Sequence, residues 1–198
     1  MSIEKDFFDQ QIISLRDLSS IHQYLLENAS AMDTSSLLRS EYVLIVSAFD
    51  NYLHNIVRRK IVDNFFSSQF LSSTLSLPLT DYFAIHSETN INDKKQILDV
   101  SLRKLLEKDS FQAPKSVEYA LGLIDIKNIW SQVSTTMGDT SSHIKDQLAL
   151  LVKRRNQIAH EADINPSTSI PRDIDIQTVS DCREFLQKLV SAIDVLIV

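Results

Sequence analysis

Glycine and proline are nearly missing from this chain, with two glycines and four prolines in 198 residues. A sheet-rich chain joined by tight turns needs more of both, because they supply the special backbone angles of most turns. Helices are therefore the expected element. Cysteine is reduced to Cys182 alone, which excludes an internal disulfide and a zinc cluster of cysteines and fits a reducing compartment. Positive charge is in deficit, 20 Lys and Arg against 26 Asp and Glu, a net charge of −6. That balance argues against a surface that grips nucleic acid all round by counterion release, so any phosphate contact must be local. A long apolar run is also lacking. The longest uncharged stretch, Asn64 to Thr80, is serine-rich and holds Pro78, a poor membrane span. Met1-Ser2-Ile3-Glu4-Lys5-Asp6 has no basic region leading into an apolar run, so no secretory signal is expected. The expectation is a soluble, cytoplasmic protein with no membrane contact.

The chain does have enough apolar residues for a core, 43% hydrophobic against 23% charged, close to the globular average. Its length fits one domain, residues 1–198. Phe8, Ile12, Leu15, Ile21 and Leu25 recur at helical spacing and predict a first helix from Lys5 to Glu27. Asp33 reads as the cap of a second, Thr34 to Phe66, with the stripe Leu38, Tyr42, Ile45, Val46, Phe49, Leu53 and Ile56. Between Tyr42 and Phe49 it is apolar nearly all round, which places it in the middle of a bundle. Ser67 to Asn92 reads as a long irregular connection with at most a short helical turn. A third helix fits Asp93 to Lys108, with Ile97, Val100, Leu102 and Leu105 inward. Pro114 opens a fourth that runs to Val133 with Val117, Leu121, Ile124 and Trp130 inward. Gly138-Asp139 ends it and caps a fifth, Thr140 to Ala162, and after a proline-containing loop Thr178 with Asp181 opens the last, Gln177 to Ile197. The expected fold class is all-α, a bundle of five to six helices.

Chemistry concentrates on the fifth helix. At about 100° per residue, Ile144, Leu148, Leu151, Val152, Ile158 and Ala159 form its apolar stripe, and Arg155 lies in the middle of it. A guanidinium buried there without a partner is costly, so the position calls for a carboxylate, a second subunit or an anionic ligand. Asn156 and His160, four residues apart, stand one above the other on an adjoining face. His160 and Arg155 are roughly 140° apart, so one straight helix does not aim both at a single phosphate. A second copy packed across a two-fold axis brings two arginines and two histidines round one cleft.

Such a cleft suits RNA transesterification, in which a ribose 2′-OH attacks its own 3′ phosphate. An imidazole titrates near about 6.5 and exchanges protons at neutral pH. A guanidinium stabilises charge developing on phosphorus oxygens, and the Asn156 amide can orient the imidazole or donate to phosphate. Lys153 and Arg154 add local positive charge, and Asp50 and His54, four apart on the second helix, are candidates for a polar wall of the site. An Arg-x4-His spacing alone is a weak signal. Here it stands within Arg154-Arg155-Asn156-Gln157-Ile158-Ala159-His160-Glu161-Ala162-Asp163, at the end of a capped helix followed by a proline loop and a last helix.

At these residues, at Ser47-Ala48-Phe49-Asp50-Asn51-Tyr52-Leu53-His54 and at Arg172-Asp173-Ile174-Asp175, the sequence resembles the HEPN superfamily, most closely its RiboL-PSP-HEPN branch. The resemblance spans roughly Tyr42 to Ile193, and the first helix adds little to it. It implies a helical bundle, a homodimer and, in active members, metal-independent RNA cleavage at the arginine and histidine of the motif, here Arg155 and His160 with Asn156. An RNase toxin or phage-defence effector restrained by an antitoxin or regulatory protein is one function of that kind. A catalytically inactive module that dimerises and holds a partner protein or a nucleotide is the alternative.

Plainer roles compete for the same residues. Arg155 pairs with a buried acid such as Glu41 or Asp50 on one reading, and His160 merely caps the helix C-terminus, where the dipole favours an imidazolium. Arg58-Arg59-Lys60 reads as a solvated face. His22, His86 and His143 share no metal-ligand spacing, so neither metal nor cofactor is expected. Cys182 reads as a buried thiol rather than a nucleophile.

Overall fold

The computed structural model describes residues 1–29, 31–67 and 75–197, and among these residues the chain is all-helical. Eight helices follow one another: α1 Ile3–Asn28, α2 Ser35–Phe66, α3 Leu79–Ser87, α4 Ile91–Leu106, α5 Pro114–Gly122, α6 Ile129–Met137, α7 Ser141–Glu161 and α8 Ile176–Ile197. They fall into two compact units, one made of Met1–Tyr52 with Trp130–Val198, the other of Leu53–Ile129.

In the first unit, α1 starts because the Ser2 side chain accepts the Lys5 amide at 3.0 Å. The same serine is buried against Asp194 of α8, which receives its backbone N–H at 3.0 Å and its hydroxyl. Phe8 and Ile12 are buried as the periodicity predicts, but Ile21 is 47% exposed and Ser19 and His22 face inward instead. Each has a partner there: Ser19 donates to Glu41, and the His22 ring meets the Thr34 hydroxyl at 2.7 Å. Asp33 accepts the Ser35 amide at the start of α2, where the sequence puts the cap. Every residue of the predicted α2 stripe is buried. The helix is not apolar-covered all round, however, because Leu44 is 45% exposed. Trp130 and Val133 of α6, Ile144 and Leu148 of α7, and Val179, Leu186, Leu189, Val190 and Ile193 of α8 join this buried set.

The core of this unit also holds a charge pair. Arg183 of α8 donates through Nη2 to Glu41, whose other oxygen accepts from Ser19, so the buried carboxylate is satisfied on both sides. Cys182 is buried beside Tyr42, and burial pushes its thiol up to about 12, as an inert core cysteine requires.

The second unit departs further from expectation. Within the predicted irregular connection, Leu79–Ser87 form helix α3, which Pro78 precedes and which Asp81 ties to Ser101 of α4. The stretch at 68–74 lies outside the described residues. The inner face of α4 is Leu98, Ser101, Leu102 and Leu106, whereas Val100 is 44% exposed and Leu105 36%. The predicted fourth helix is two: α5 stops at Gly122, and α6 begins at Ile129 after Asp125 and Asn128 both turn left-handed, at φ 63° and 53°. Aspartate and asparagine tolerate that region better than other side chains. Val117, Leu121 and Ile124 are buried nonetheless, since the apolar spacing marks burial on either side of the break.

Gly138, at φ 67°, ends α6 as its sequence position suggests. The cap of α7 is Thr140, whose side chain accepts the His143 amide at 3.2 Å, and Asp139 lies one step outside, accepting the Thr140 amide and the His143 ring. That ring bond holds the Asp139 carboxyl below its ordinary range. At the start of α8 the cap is Asp175, which accepts both the amide and the hydroxyl of Thr178. The predicted pairing of Thr178 with Asp181 is therefore displaced by one turn, and Asp181 accepts from Gln177 instead.

Candidate active site

The motif lies on the last two turns of α7. Only Ile144 and Leu148 of this helix are fully buried, while Leu151, Val152 and Ile158 are half-buried and Ala159 is exposed. The apolar stripe seen in the sequence is thus covered at its first half and partly open at its second. A groove of about 490 Å³ borders this open part at Ile158, walled by Val43 and Leu44 of α2, by Ile158 and Ala162, and at one end by Ser36, Arg39 and Ser40. A second groove, of about 470 Å³, lies between α1 and α2 and shares Leu44 as a wall, with Phe7 and Leu15 opposite.

The end of α7 is made without glycine. Ala162 and Asp163 take left-handed φ of 49° and 59°, and the Gln157 carbonyl accepts both of their amides. Each such residue costs roughly 1–2 kcal/mol in a non-glycine, so something must hold them. The Asp163 side chain does so. It is 0% exposed and accepts from Arg39 Nε at 2.8 Å and from Arg154 Nη1, with Arg172 Nη1 at 3.8 Å. Its backbone carbonyl takes the Arg172 amide at 2.9 Å. Sequence reasoning missed Asp163 and Arg39 in this role.

Arg154 and Arg155 diverge. Arg154 spends Nη1 on Asp163 and Nη2 on the Asp173 carbonyl at 3.0 Å. Arg155 is half-buried, its Nη1 donates to the neutral Asn156 Oδ1 at 2.9 Å, and its Nε is shielded from water without a partner. Among the described residues no carboxylate pairs with it. Glu41, one candidate partner, is taken by Arg183. Asn156 and His160 are exposed, as is Lys153. His160 stands in the last turn of α7.

The remaining candidates part company. Asp50 is half-buried in the first unit. His54 belongs to the second, where its ring stacks on Phe111 at 4.2 Å and its Nε2 meets the Asp109 carbonyl at 3.2 Å. Arg58 is held by Asp99 at 2.5 Å and by Asn55, so that basic run is not simply a solvated face. Among the described residues no group of three or more His, Cys, Asp or Glu is gathered, and no helix is long and apolar enough to cross a membrane.

The family model of RiboL-PSP-HEPN matches residues 11–198, nearly the whole chain and both units. The chain belongs to the RiboL-PSP-HEPN family. No curated protein and no solved structure matches it. The match also takes in most of α1, which the motif resemblance left outside. As a HEPN-superfamily protein the chain has the helical fold often found in RNases, with its Arg-Asn-x-x-x-His at the open end of α7.

Proposed function

We propose that this RiboL-PSP-HEPN protein is a metal-independent endoribonuclease whose site is composed of Arg155, Asn156 and His160 from two copies of the chain. The observation that carries the reading is Arg155, a guanidinium set into an apolar stripe, steered by a neutral amide and left without a carboxylate. An uncompensated arginine of that kind suits a phosphate, which it grips with two prongs. The partly open stripe around it, Leu151, Val152 and Ile158 continuing to Leu44 across the groove, offers the apolar surface through which a second copy closes the cleft. In an acidic chain the attraction for RNA has to be local, and Arg155 is the cation that this site offers. Asp50 and His54 have the weaker claim, and His54 is engaged with Phe111.

In the reaction, one His160 imidazole takes the proton of the ribose 2′-OH while that oxygen attacks phosphorus. The bond from phosphorus to the 5′ oxygen breaks, and the imidazolium of the second His160 protonates the leaving oxygen. Arg155 stabilises the charge that gathers on the non-bridging oxygens. The products are a 2′,3′-cyclic phosphate and a 5′-hydroxyl. An activity of this kind in the cytoplasm requires restraint, as in a toxin or phage-defence effector held by an antitoxin or regulatory protein.

Purified protein incubated with total RNA, wild type beside His160→Ala, tests the assignment by mapping the cut ends. Cutting by wild type alone is expected, with cyclic or 3′ phosphate and 5′-hydroxyl ends, in the presence of EDTA, and with DNA and 2′-O-methyl RNA spared. Recovery of 5′-phosphate ends would mean that His160 and Arg155 have other roles. Wild type and His160→Ala behaving alike, in the test tube and in growth of expressing cells, would favour a non-catalytic module that holds a protein or nucleotide.

A further inference from the structure

Three guanidiniums from three parts of the chain converge on one fully buried carboxylate immediately behind the motif: Arg39 of α2, Arg154 of α7 and Arg172 of the loop that follows. Each of them also binds a second group of the protein. Arg39 gives Nε to Asp163, Nη1 to Ser35 at 2.6 Å and Nη2 to the Arg172 carbonyl at 2.7 Å. Arg154 divides its two terminal nitrogens between Asp163 and the Asp173 carbonyl, and Arg172 gives Nη1 to the Ile164 carbonyl at 2.9 Å. Each of the three nitrogens of Arg39 thus makes a bond inside the protein. The cluster gathers the chain from Asp163 to Asp173 onto α2 and α7 at the point where α7 is forced to end by two left-handed non-glycine residues.

We infer that Asp163 is a positioning residue for the proposed cleavage: its buried carboxylate, clamped by Arg39, Arg154 and Arg172, fixes the last turn of α7 and so the direction of the His160 ring relative to Arg155. The inference rests on the proposed function for its catalytic consequence, though not for its structural one. Two features of the geometry carry it. Asp163 lies three residues beyond His160, and its backbone N–H closes on Gln157 while its carboxylate holds Arg154, so the clamp grips α7 just before the Asn156 to His160 turn and within it. Arg154 is held in the clamp while its neighbour Arg155 is left to the substrate, a division of labour that depends on helix rotation between adjacent residues. A carboxylate so placed sets geometry without touching substrate, and small misplacement of a reacting group is enough to lose rate.

The test uses the full-length chain with two variants, Asp163→Asn and Arg39→Gln, the second of which leaves the carboxylate to Arg154 and Arg172 should the first fail to fold. Three quantities are read: kcat and KM on a cleavable RNA, the NMR signal of the His160 ring through its titration, and amide hydrogen exchange along the chain. For folded variant protein the inference expects kcat to fall about tenfold or more with KM nearly unchanged. It also expects an altered His160 signal and faster exchange confined to residues 157–163. Unchanged kcat in a folded variant, or a kcat that falls only in step with the folded fraction, overturns it. Should wild type fail to cleave any RNA, the proposed function fails by itself. The clamp is then judged on the His160 signal and the exchange pattern, and is overturned if both match wild type.

Discussion

Adjacent residues of a helix point about 100° apart, and this rotation gives two neighbouring arginines opposite employment. Arg154 turns back to a buried carboxylate and a carbonyl, whereas Arg155 turns into an apolar stripe with only an amide beside it. Replacing Arg155 by Lys keeps the charge and most of the length but removes the planar fork, so cleavage should stay close to the level of Arg155→Ala rather than return toward wild type. Initial rates of the three proteins on one RNA, compared at equal folded fraction, decide the point, and a lysine variant near wild type would mean that only a point charge is needed. That Arg155, Asn156 and His160 share one helix was legible in the sequence, because spacing fixes which faces of a helix its residues occupy. Asp163 and Arg39 were not legible. They stand 124 positions apart, and no local pattern says that a residue just past a helix end will be met by one near the start of another.

Elements end where side chains satisfy the bare backbone groups at their termini, and several of those ends can be read only in three dimensions. The sequence pattern puts a cap at Thr178, but Asp175 outcompetes it, since an ionised carboxylate accepts from an amide more strongly than a hydroxyl does. The Thr178 hydroxyl and amide bonds together hold the Asp175 carboxyl below its ordinary value of 3.8. A carboxyl depressed on folding contributes stability that is fully present above its unfolded pKa and is lost as pH falls through the folded one. Asp175→Ala should therefore lower the urea midpoint at neutral pH, and the gap to wild type should close in acid, below the ordinary carboxyl value. A gap that persists undiminished at low pH would mean that the residue acts by packing rather than by its charge. The same logic explains the other misread boundaries. The apolar spacing of Val117, Leu121 and Ile124 persists across the end of α5 because periodicity reports burial, whereas the left-handed turns at Asp125 and Asn128 that break the helix leave no trace in it. In α1, Ser19 and His22 are buried in place of Ile21 because Glu41 and Thr34 offer them hydrogen bonds from distant positions.

At the scale of the whole molecule the decisive quantity is how many copies of the chain build one site. The helical class follows from the scarcity of glycine and proline, whereas the proposed assembly draws on surface that the single chain leaves partly open, Leu151, Val152 and Ile158 of α7 with Leu44 across the groove from Ile158. If one His160 removes the 2′-OH proton while the other delivers a proton to the leaving oxygen, a dimer with a single His160→Ala copy lacks either its base or its acid. Mixing wild type with the variant under conditions that exchange subunits then has a quantitative outcome. In an equal mixture about a quarter of the dimers carry two intact copies, so activity per total protein should fall to about a quarter of the undiluted wild type. If each copy carries a complete site, the same mixture retains about half. The experiment separates the two because exchange redistributes copies without changing how much wild-type protein is present, and a control mixed without exchange should keep the value for simple dilution. A bell-shaped pH profile that belongs to the pair of imidazoles should accompany the lower figure. Retention of about half the activity after verified exchange would keep His160 as a catalytic candidate while removing the two-copy cleft, and Arg155 would then have to reach the phosphate from its own helix.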